Sequence, residues 1–106
     1  MELRRIQDCI RFSDSKLQKN VLFDTPHFFC DVYCLKPGQE QKAHDHHGAD
    51  KVYYALQGTV RVRVGDEEQD LSAGSAVIAR GGQVHGVRNL SGADAVLFVV
   101  MAPRPQ

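Results

Sequence analysis

Four of the five histidines fall in two short segments whose spacing suits a metal centre. His44, His46 and His47 lie in the run HDHH, whereas His85 lies in QVHGVRN. On an extended strand His44 and His46 project from one face, and an imidazole from another strand would complete a three-nitrogen site. His47 has the opposite parity and is expected at the rim of that site. The H-x-H pair alone also fits a surface or hydrogen-bonded structural role. The residues around the pair are needed to distinguish that role from metal binding.

The two histidine segments belong to longer, glycine-bounded patterns. Residues 38–58 read G-x5-H-x-H-x4-K-x6-G, and residues 74–89 read G-x5-R-x-G-x2-H-x3-N. In order and spacing they resemble the two sequence motifs of the cupin superfamily, and of its small single-domain members in particular. The resemblance implies an all-β fold, a small antiparallel β-barrel or jelly roll whose inward side chains surround a metal pocket. It also implies that His44, His46 and His85 are the metal ligands.

Two positions depart from those motifs, and one of them has a chemical consequence. Arg80 replaces the proline of the second motif, where the Arg-Gly-Gly sequence can still form a turn. Lys51 replaces the glutamate that usually supplies a fourth ligand. A divalent ion and an ammonium about 5 Å apart repel by roughly 7 kcal/mol at an effective dielectric constant of about 20. That repulsion is enough to deprotonate the lysine or to exclude the metal.

Four arrangements of Lys51 are open from the sequence. The favoured one has Lys51 rotated away from the metal and paired with a carboxylate such as Asp50 or Asp45. Alternatively, a bulge brings in Asp50 as the fourth ligand, Lys51 acts as a neutral base beside the metal, or the pocket holds no metal. Asn89, the last residue of the second motif, is expected to have a structural role.

A three-histidine centre without a carboxylate leaves the ion its full double charge and open positions for water or substrate. Such a centre polarises carbonyl groups, lowers the pKa of bound water or holds a chelating substrate beside dioxygen. Histidine ligands do not select one divalent transition metal among iron, nickel, zinc, manganese and copper. Together with this chemistry, the resemblance to cupins implies a metal-dependent, oxygenase- or isomerase-like enzyme acting on a small polar or carbonyl substrate. The alternative is a non-catalytic module that binds a metal or a small ligand, metal-free if Lys51 excludes the ion.

Short strands must position these groups. Residues 60–64 alternate valine with arginine, and the Gly-Asp turn that follows predicts a hairpin. Residues 28–35 form a further predicted strand that ends at a Pro-Gly turn. Turn residues then recur at intervals of about 7–10 positions, which is typical of a β-sandwich or barrel. We expect one domain over residues 1–106, with residues 1–25 as an arm or edge strands that include a short helical turn at 15–20.

The pocket wall is expected to draw on side chains from these strands, with core packing as the alternative for the aromatic ones. Beside Asp50, Lys51 and His47, the candidates are Tyr53, Tyr33, Phe28, Val87, Gln57 and Arg63. Parity alone does not show which of them face inward, because a one-residue bulge reverses every face.

Composition narrows the partners and the compartment. With 13 basic and 13 acidic residues among 106, the zero net charge gives no basis for binding nucleic acid or an anionic membrane. The longest apolar run, residues 95–102, is far shorter than the roughly 20 residues of a membrane span, and the charged start does not resemble a secretory signal. Cys30 and Cys34 would lie about 13 Å apart on one strand, too far for a disulfide. We expect a soluble, cytoplasmic protein with a small-molecule ligand, and a homodimer, because exposed sheet edges need covering.

Overall fold

The computed structural model describes residues 1–45 and 48–105. Within these residues the chain forms a short 3-10 turn, Ile6–Cys9, and nine β-strands. In chain order the strands are β1 (Gln18–Asp24), β2 (Phe29–Leu35), β3 (Glu40–His44), β4 (Asp50–Gln57), β5 (Thr59–Val64), β6 (Glu67–Ser72), β7 (Ala76–Ala79), β8 (His85–Arg88) and β9 (Ala95–Ala102). The expected all-β fold is confirmed. None of the described residues forms a helix long and apolar enough to cross a membrane.

The strands form two antiparallel sheets that pack against each other. One sheet has five strands in the order β1-β2-β9-β4-β7, and the other has four in the order β3-β8-β5-β6. A shared core lies between them, with Leu35 and Leu97 contributed by the first sheet and Val62 and Leu71 by the second. This is the jelly-roll arrangement that the motif resemblance implied.

The hairpin predicted from the valine–arginine alternation is confirmed. Strands β5 and β6 pair along their whole length, from Thr59 opposite Ser72 to Val64 opposite Glu67. Val60 and Val62 are buried in the core, whereas the arginines between them face the other side of the sheet. The period of two in the sequence therefore becomes one buried and one solvated face.

The N-terminal region differs from the expectation. The predicted helical turn over residues 15–20 is wrong, because β1 begins there and pairs antiparallel with β2. The buried amide of Asn20 donates hydrogen bonds to the backbone oxygens of Cys9 at 2.8 Å and Arg11 at 3.1 Å. Long-range pairing therefore overrides the local tendency of this polar stretch to turn.

A second apolar cluster covers part of the outer face of the five-stranded sheet. Its buried members are Cys9, Leu22, Cys30, Val32, Cys34 and Val96. All three cysteines are free thiols, and Cys30 and Cys34 are not bridged, as their spacing on one strand predicted. Burial raises the pKa of Cys30 and of Cys34. They act as small apolar side chains beneath the N-terminal segment.

Gly58, which joins β4 to β5, shows why the first motif ends in glycine. Its φ is 77°, in the left-handed region that other residues rarely adopt. A β-carbon there would lie 2.6 Å from the backbone oxygen of Asp94. The position is therefore fixed both by conformation and by the close approach of the chain that leads into β9.

Candidate functional site

A β-bulge in β3 determines which of its side chains reach the interior. Gln41 pairs with Val87 and His44 pairs with His85, so three steps along β3 match two steps along β8. Gly86 permits this close pairing, because a β-carbon there would lie 2.7 Å from the Gln41 backbone oxygen. Although they are an odd number of residues apart, Gln41 and His44 consequently line the same cavity.

His44 and His85 face each other across this strand pair. Their ring centroids are 4.5 Å apart, with an angle of 57° between the planes, and the Tyr53 ring lies 6.2 Å from that of His85. Nδ1 of His44 lies 2.8 Å from the Lys42 backbone oxygen, and Nδ1 of His85 lies 2.9 Å from that of Gln83. A carbonyl oxygen can only accept, so both Nδ1 atoms donate and Nε2 carries the lone pair in each neutral ring.

Two of the three expected metal ligands are thus brought together. His46, the third, and His47, the expected rim group, lie outside the described residues. Among the residues that the structure does describe, no three His, Cys, Asp or Glu side chains are grouped closely enough to hold a metal ion.

The arrangement favoured from the sequence turns Lys51 away from the metal to pair with a carboxylate, whereas the structure directs its side chain into the interior, against Gln41. Lys51 is only 2% exposed and, two residues before Tyr53 on β4, points to the same inner face. Its ammonium lies 5.1 Å from the centre of the Tyr53 ring and 5.4 Å from that of Tyr33. Asp50 does not pair with it; its Oδ1 accepts a hydrogen bond from the Gly81 backbone N–H at 2.9 Å. Strand alternation therefore outweighs the charge of the side chain in setting its direction.

Gln41 connects the polar groups of the interior. Its two amide atoms are assigned from their neighbours, and one orientation satisfies all of them. In that orientation Oε1 accepts from Lys19 Nζ at 3.0 Å, from Lys51 Nζ at 3.2 Å and from the Tyr33 hydroxyl at 3.2 Å, while Nε2 donates to the Tyr53 hydroxyl at 2.7 Å. In the opposite orientation Lys51 Nζ still lies 3.3 Å from the amide oxygen. Two amines therefore meet at one neutral side chain.

The electrostatics of this cluster favour the neutral form of Lys51. Burial, followed by the positive charge of Lys19, lowers the pKa of Lys51 to about 7, and Asp31 only partly opposes that shift. Burial raises the pKa of Asp31 against the pull of Lys19 and Lys51, and its Oδ1 is buried with no hydrogen-bond partner among the described residues. Burial also raises the pKa of Tyr33 and of Tyr53. Each group is pushed towards its uncharged form.

A cavity of about 550 Å³ opens onto this cluster. Its lining includes the side chains just described together with apolar groups from β2, β9 and the C-terminal segment: Lys19, Phe29, Asp31, Tyr33, Gln41, Lys42, Ala43, His44, Lys51, Met101 and Pro105. The volume suits a compact organic molecule.

The prediction of which side chains form the pocket wall is only partly correct. Tyr33 lines the cavity, and Tyr53 and Val87 belong to the core beside it. Phe28 packs against the cluster on the outer face of the five-stranded sheet instead. Gln57 and Arg63 are exposed, and the Arg63 Nε donates to the Gly65 backbone oxygen.

Sequence reasoning missed three groups of the cluster, namely Gln41, Lys19 and Asp31. Parity counted from His44 would have turned Gln41 outward, because the bulge is invisible in the sequence. Lys19 lies in the stretch expected to turn. Only Asp31 could have been noticed from the sequence, because it is a charged residue inside the apolar strand sequence FCDVYCL. Burial of a carboxylate there is unfavourable unless another group interacts with it.

A family model described as a cupin domain matches residues 31–101, a span that contains both histidine segments and strands β3 to β8 together with most of β2 and β9. The chain belongs to the cupin family. Its fold, its two motifs and this match agree, and the motif resemblance noted from the sequence is thereby confirmed at the level of the family.

Solved structures resemble this cupin over nearly its whole length. Protein TT1209 from Thermus thermophilus is 48% identical, with a TM-score of 0.96, and the match covers 99% of this chain and 100% of that one. A conserved uncharacterized protein with a double-stranded β-helix domain from Klebsiella pneumoniae subsp. pneumoniae is 26% identical, with a TM-score of 0.89, and the match covers 97% and 90% of the two chains.

One curated relative carries a functional name. The tetracenomycin polyketide synthase protein TcmJ of Streptomyces glaucescens is 36% identical over a 75-residue alignment, and the match covers 68% of this chain and 50% of that protein. This cupin therefore spans about half the length of the curated relative that it matches.

Proposed function

We propose that this cupin binds one divalent transition metal ion through His44, His46 and His85 and acts on a small carbonyl-bearing substrate in the adjoining cavity. The observation that carries the proposal is the facing pair of His44 and His85, with 4.5 Å between ring centroids. Both rings donate Nδ1–H to a backbone carbonyl, which is the support that metal-binding histidines ordinarily have. In this tautomer Nε2 is the nitrogen that would bind the ion.

The donor chemistry fits a transition metal. Imidazole nitrogens suit iron, nickel, zinc and copper, and manganese is the remaining candidate from the sequence. When bound, such an ion would supply Lewis acidity, polarising a carbonyl oxygen or lowering the pKa of a bound water. The remaining chemistry belongs to the side chains of the cluster.

Lys51 is compatible with an ion nearby because it need not be charged. Its pKa is lowered to about 7 by burial and by Lys19. A positive ion in the same interior would lower that pKa further and leave a neutral amine. The repulsion expected from the sequence is then relieved by loss of a proton, and Lys51 becomes a group that can accept a proton from a bound substrate.

The cavity favours a substrate that carries carbonyl oxygens. The Tyr33 hydroxyl and the Lys19 ammonium reach one Gln41 oxygen at its edge, so they can also donate to an oxygen of a molecule bound there. Apolar contact would come from Phe29 and Met101. The curated relative supports the same substrate class, since its name assigns it to polyketide synthesis and polyketides are rich in carbonyl groups.

The test is the metal content of protein purified without a histidine tag or added metal. We expect about one transition-metal ion per chain in the wild type and roughly ten-fold less or lower in His44→Ala and His85→Ala. His27→Ala is the matched control, because His27 is exposed on the turn between β1 and β2 and should leave the metal content unchanged. Equal metal content in all four proteins would overturn the proposal.

A second candidate, a metal-free barrel that binds an organic ligand, is favoured by the inward direction of Lys51. The two candidates differ in their response to a chelator. If the metal is bound, removal should lower the midpoint of thermal unfolding of the wild type but not that of His85→Ala. If the barrel is metal-free, the chelator should leave both midpoints unchanged.

A further inference from the structure

We propose that Lys51 is a carbonyl-reactive amine, held against Gln41 between the rings of Tyr33 and Tyr53, that forms an imine with small 2-oxo acids entering the cavity. The inference takes the carbonyl substrate class from the proposed function but does not depend on the metal. Its experiment can therefore fail or succeed separately from the metal analysis.

The first support is the position of the amine. Lys51 Nζ lies 5.4 Å and 5.1 Å from the centres of the Tyr33 and Tyr53 rings, so two aromatic walls hold the side chain. Its hydrogen bond to Gln41 Oε1 at 3.2 Å orients Nζ at the edge of the cavity. A reactive group held in this way loses little freedom when it attacks a carbon bound beside it.

The second support is the set of charges around the amine. Lys19 from β1 reaches the same Gln41 oxygen, and Asp31 and Tyr33 from β2 and Tyr53 from β4 face the same interior. His44 from β3 lines the cavity, and Met101 lies opposite Lys51 on β9. Burial and Lys19 lower the pKa of Lys51 to about 7, so a large share of the amine is unprotonated at neutral pH. Desolvation and an adjacent cation are the two known ways to activate a lysine.

The chemistry balances with groups already present. The Lys51 lone pair attacks the carbonyl carbon, the C–N bond forms as the C=O π bond breaks, and one proton moves from nitrogen to oxygen to give a carbinolamine. A second proton reaches that oxygen, the C–O bond breaks as water leaves, and the C=N bond forms while nitrogen gives up its remaining proton. The sum is one amine and one carbonyl giving one imine and one water, with no change of oxidation state.

Two neighbouring groups can assist those proton transfers. Burial raises the pKa of Asp31, which makes its carboxylate a stronger base than an exposed one, so it can take a proton that nitrogen gives up and pass it to the substrate oxygen. The Tyr33 hydroxyl, 3.2 Å from the shared Gln41 oxygen, can donate a hydrogen bond to that substrate oxygen. Both lie on β2, on the side of the cluster that Lys19 also borders.

The 2-oxo acid class follows from Lys19. Lys19 is exposed along its side chain, yet its ammonium reaches Gln41 beside Lys51. A carboxylate adjacent to the reacting carbonyl could pair with that ammonium while the carbonyl carbon faces Lys51. A neutral aldehyde would lack this pairing.

The experiment is reductive trapping on the full chain. Wild-type protein is incubated with pyruvate or glyoxylate and cyanoborohydride, and intact mass with peptide mapping locates the adduct. We expect one adduct per chain, on Lys51, with a rate that rises as pH passes about 7. Lys51→Arg should lose the adduct by roughly ten-fold or more, whereas Lys16→Arg, which changes an exposed lysine, should retain it. Lys51→Met provides a second variant should the arginine not be accommodated.

Three further arms complete the test. Well above pH 7, where Lys51 is unprotonated with or without an ion nearby, His85→Ala and chelator-treated wild type should still form the adduct on Lys51, which separates this inference from the metal proposal. Lys19→Ala should slow trapping of pyruvate more than trapping of acetaldehyde, because only pyruvate offers a carboxylate. Adducts spread over exposed lysines, or an unchanged adduct in Lys51→Arg and Lys51→Met, would overturn the inference.

Discussion

The inner face of the five-stranded sheet is polar at one end and apolar at the other, although the same strands form both ends. Along β2 and β4, which run in the same direction on either side of β9, the inward residues change from charged to aromatic to aliphatic: Asp31, Tyr33 and Leu35 on β2, and Lys51, Tyr53 and Ala55 on β4. Asp31 and Lys51 mark the polar end, and Leu35 and Ala55 the apolar end. The strand period places all of them inside, so burial alone does not distinguish a packing residue from a reactive one.

The two ends also make opposite contributions to stability. Leu35, Ala55 and Leu97 at the apolar end are removed from water without leaving a polar group unsatisfied. At the polar end, burial of Lys51 and Asp31 shifts both pKa values towards the neutral forms, which is a sign that the charged forms are unfavourable there. The apolar end therefore stabilises a fold in which the polar end keeps an activated amine.

The largest expected effect comes from truncation at the apolar end. Leu97, fully buried on the central strand β9, lies among side chains of both sheets. Leu97→Ala should lower the free energy of unfolding by about 2–5 kcal/mol, because it removes buried methyl groups and leaves a cavity. Urea unfolding at fixed pH measures the loss, and the folded variant should still trap pyruvate on Lys51. A loss below about 1 kcal/mol would show that this end is not the stabilising one.

At the polar end the expected effect depends on pH. Folded Lys51 loses its proton near pH 7, whereas in the unfolded chain it keeps the proton to about 10.5. Between these values the unfolded state binds more protons, so the free energy of unfolding should rise with pH, by a few kcal/mol in order of magnitude. Below pH 7 the amine is protonated in both the folded and the unfolded state. Burial of the charged amine then lowers the free energy of unfolding by its full amount.

Lys51→Met isolates this contribution because methionine is unbranched and of similar length. Its unfolding free energy should exceed that of the wild type at pH 7 and approach it near pH 10, as measured by urea unfolding across that range. Above pH 10 the raised pKa values of Tyr33 and Tyr53 give stability a downward slope, so the comparison ends there. Lys16→Met, at an exposed position, should follow the wild-type curve. Parallel curves for Lys51→Met and wild type would contradict the depressed pKa.

The sequence was sufficient for the fold because the fold depends on signals that recur locally. Alternation in residues 60–64, turn residues at regular intervals and the spacing of the two motifs each indicate short strands, and the structure confirms them. Residues 15–20 were misjudged because β1 carries few apolar residues and is held by its pairing with β2. That pairing is a long-range interaction that no local pattern records.

The site was predictable only where a motif fixed the register. His44 and His85 were identified from spacing, and the structure brings them together. Lys51 was identified as the unusual residue, but its burial was not anticipated, because the expectation rested on repulsion from a metal and left out the parity of β4. Gln41 escaped notice because one extra residue in β3 reverses its side.

The smallest of the expected effects comes from disturbing the bulge in β3, which lies between Gln41 and His44. In Gly86→Ala a β-carbon would lie 2.7 Å from the Gln41 oxygen and 2.9 Å from the Ala43 nitrogen, both backbone atoms that cannot rotate away. β3 and β8 must therefore separate, and the unfolding free energy should fall by about 1–3 kcal/mol. Because the same strands carry His44 and His85, the metal content should fall as well.

Gly92→Ala is the control for the bulge, since a β-carbon there would have no neighbour within 4 Å and its φ is not positive. It should leave both stability and metal content close to the wild type. If Gly86→Ala lowered stability but kept the metal, the histidine pair would be positioned by its own hydrogen bonds to Lys42 and Gln83 and not by the bulge. Loss of metal with little loss of stability would instead show that the histidine pair at the polar end depends on the spacing of β3 and β8. The packing at the apolar end would then be insensitive to a wider separation of these two strands.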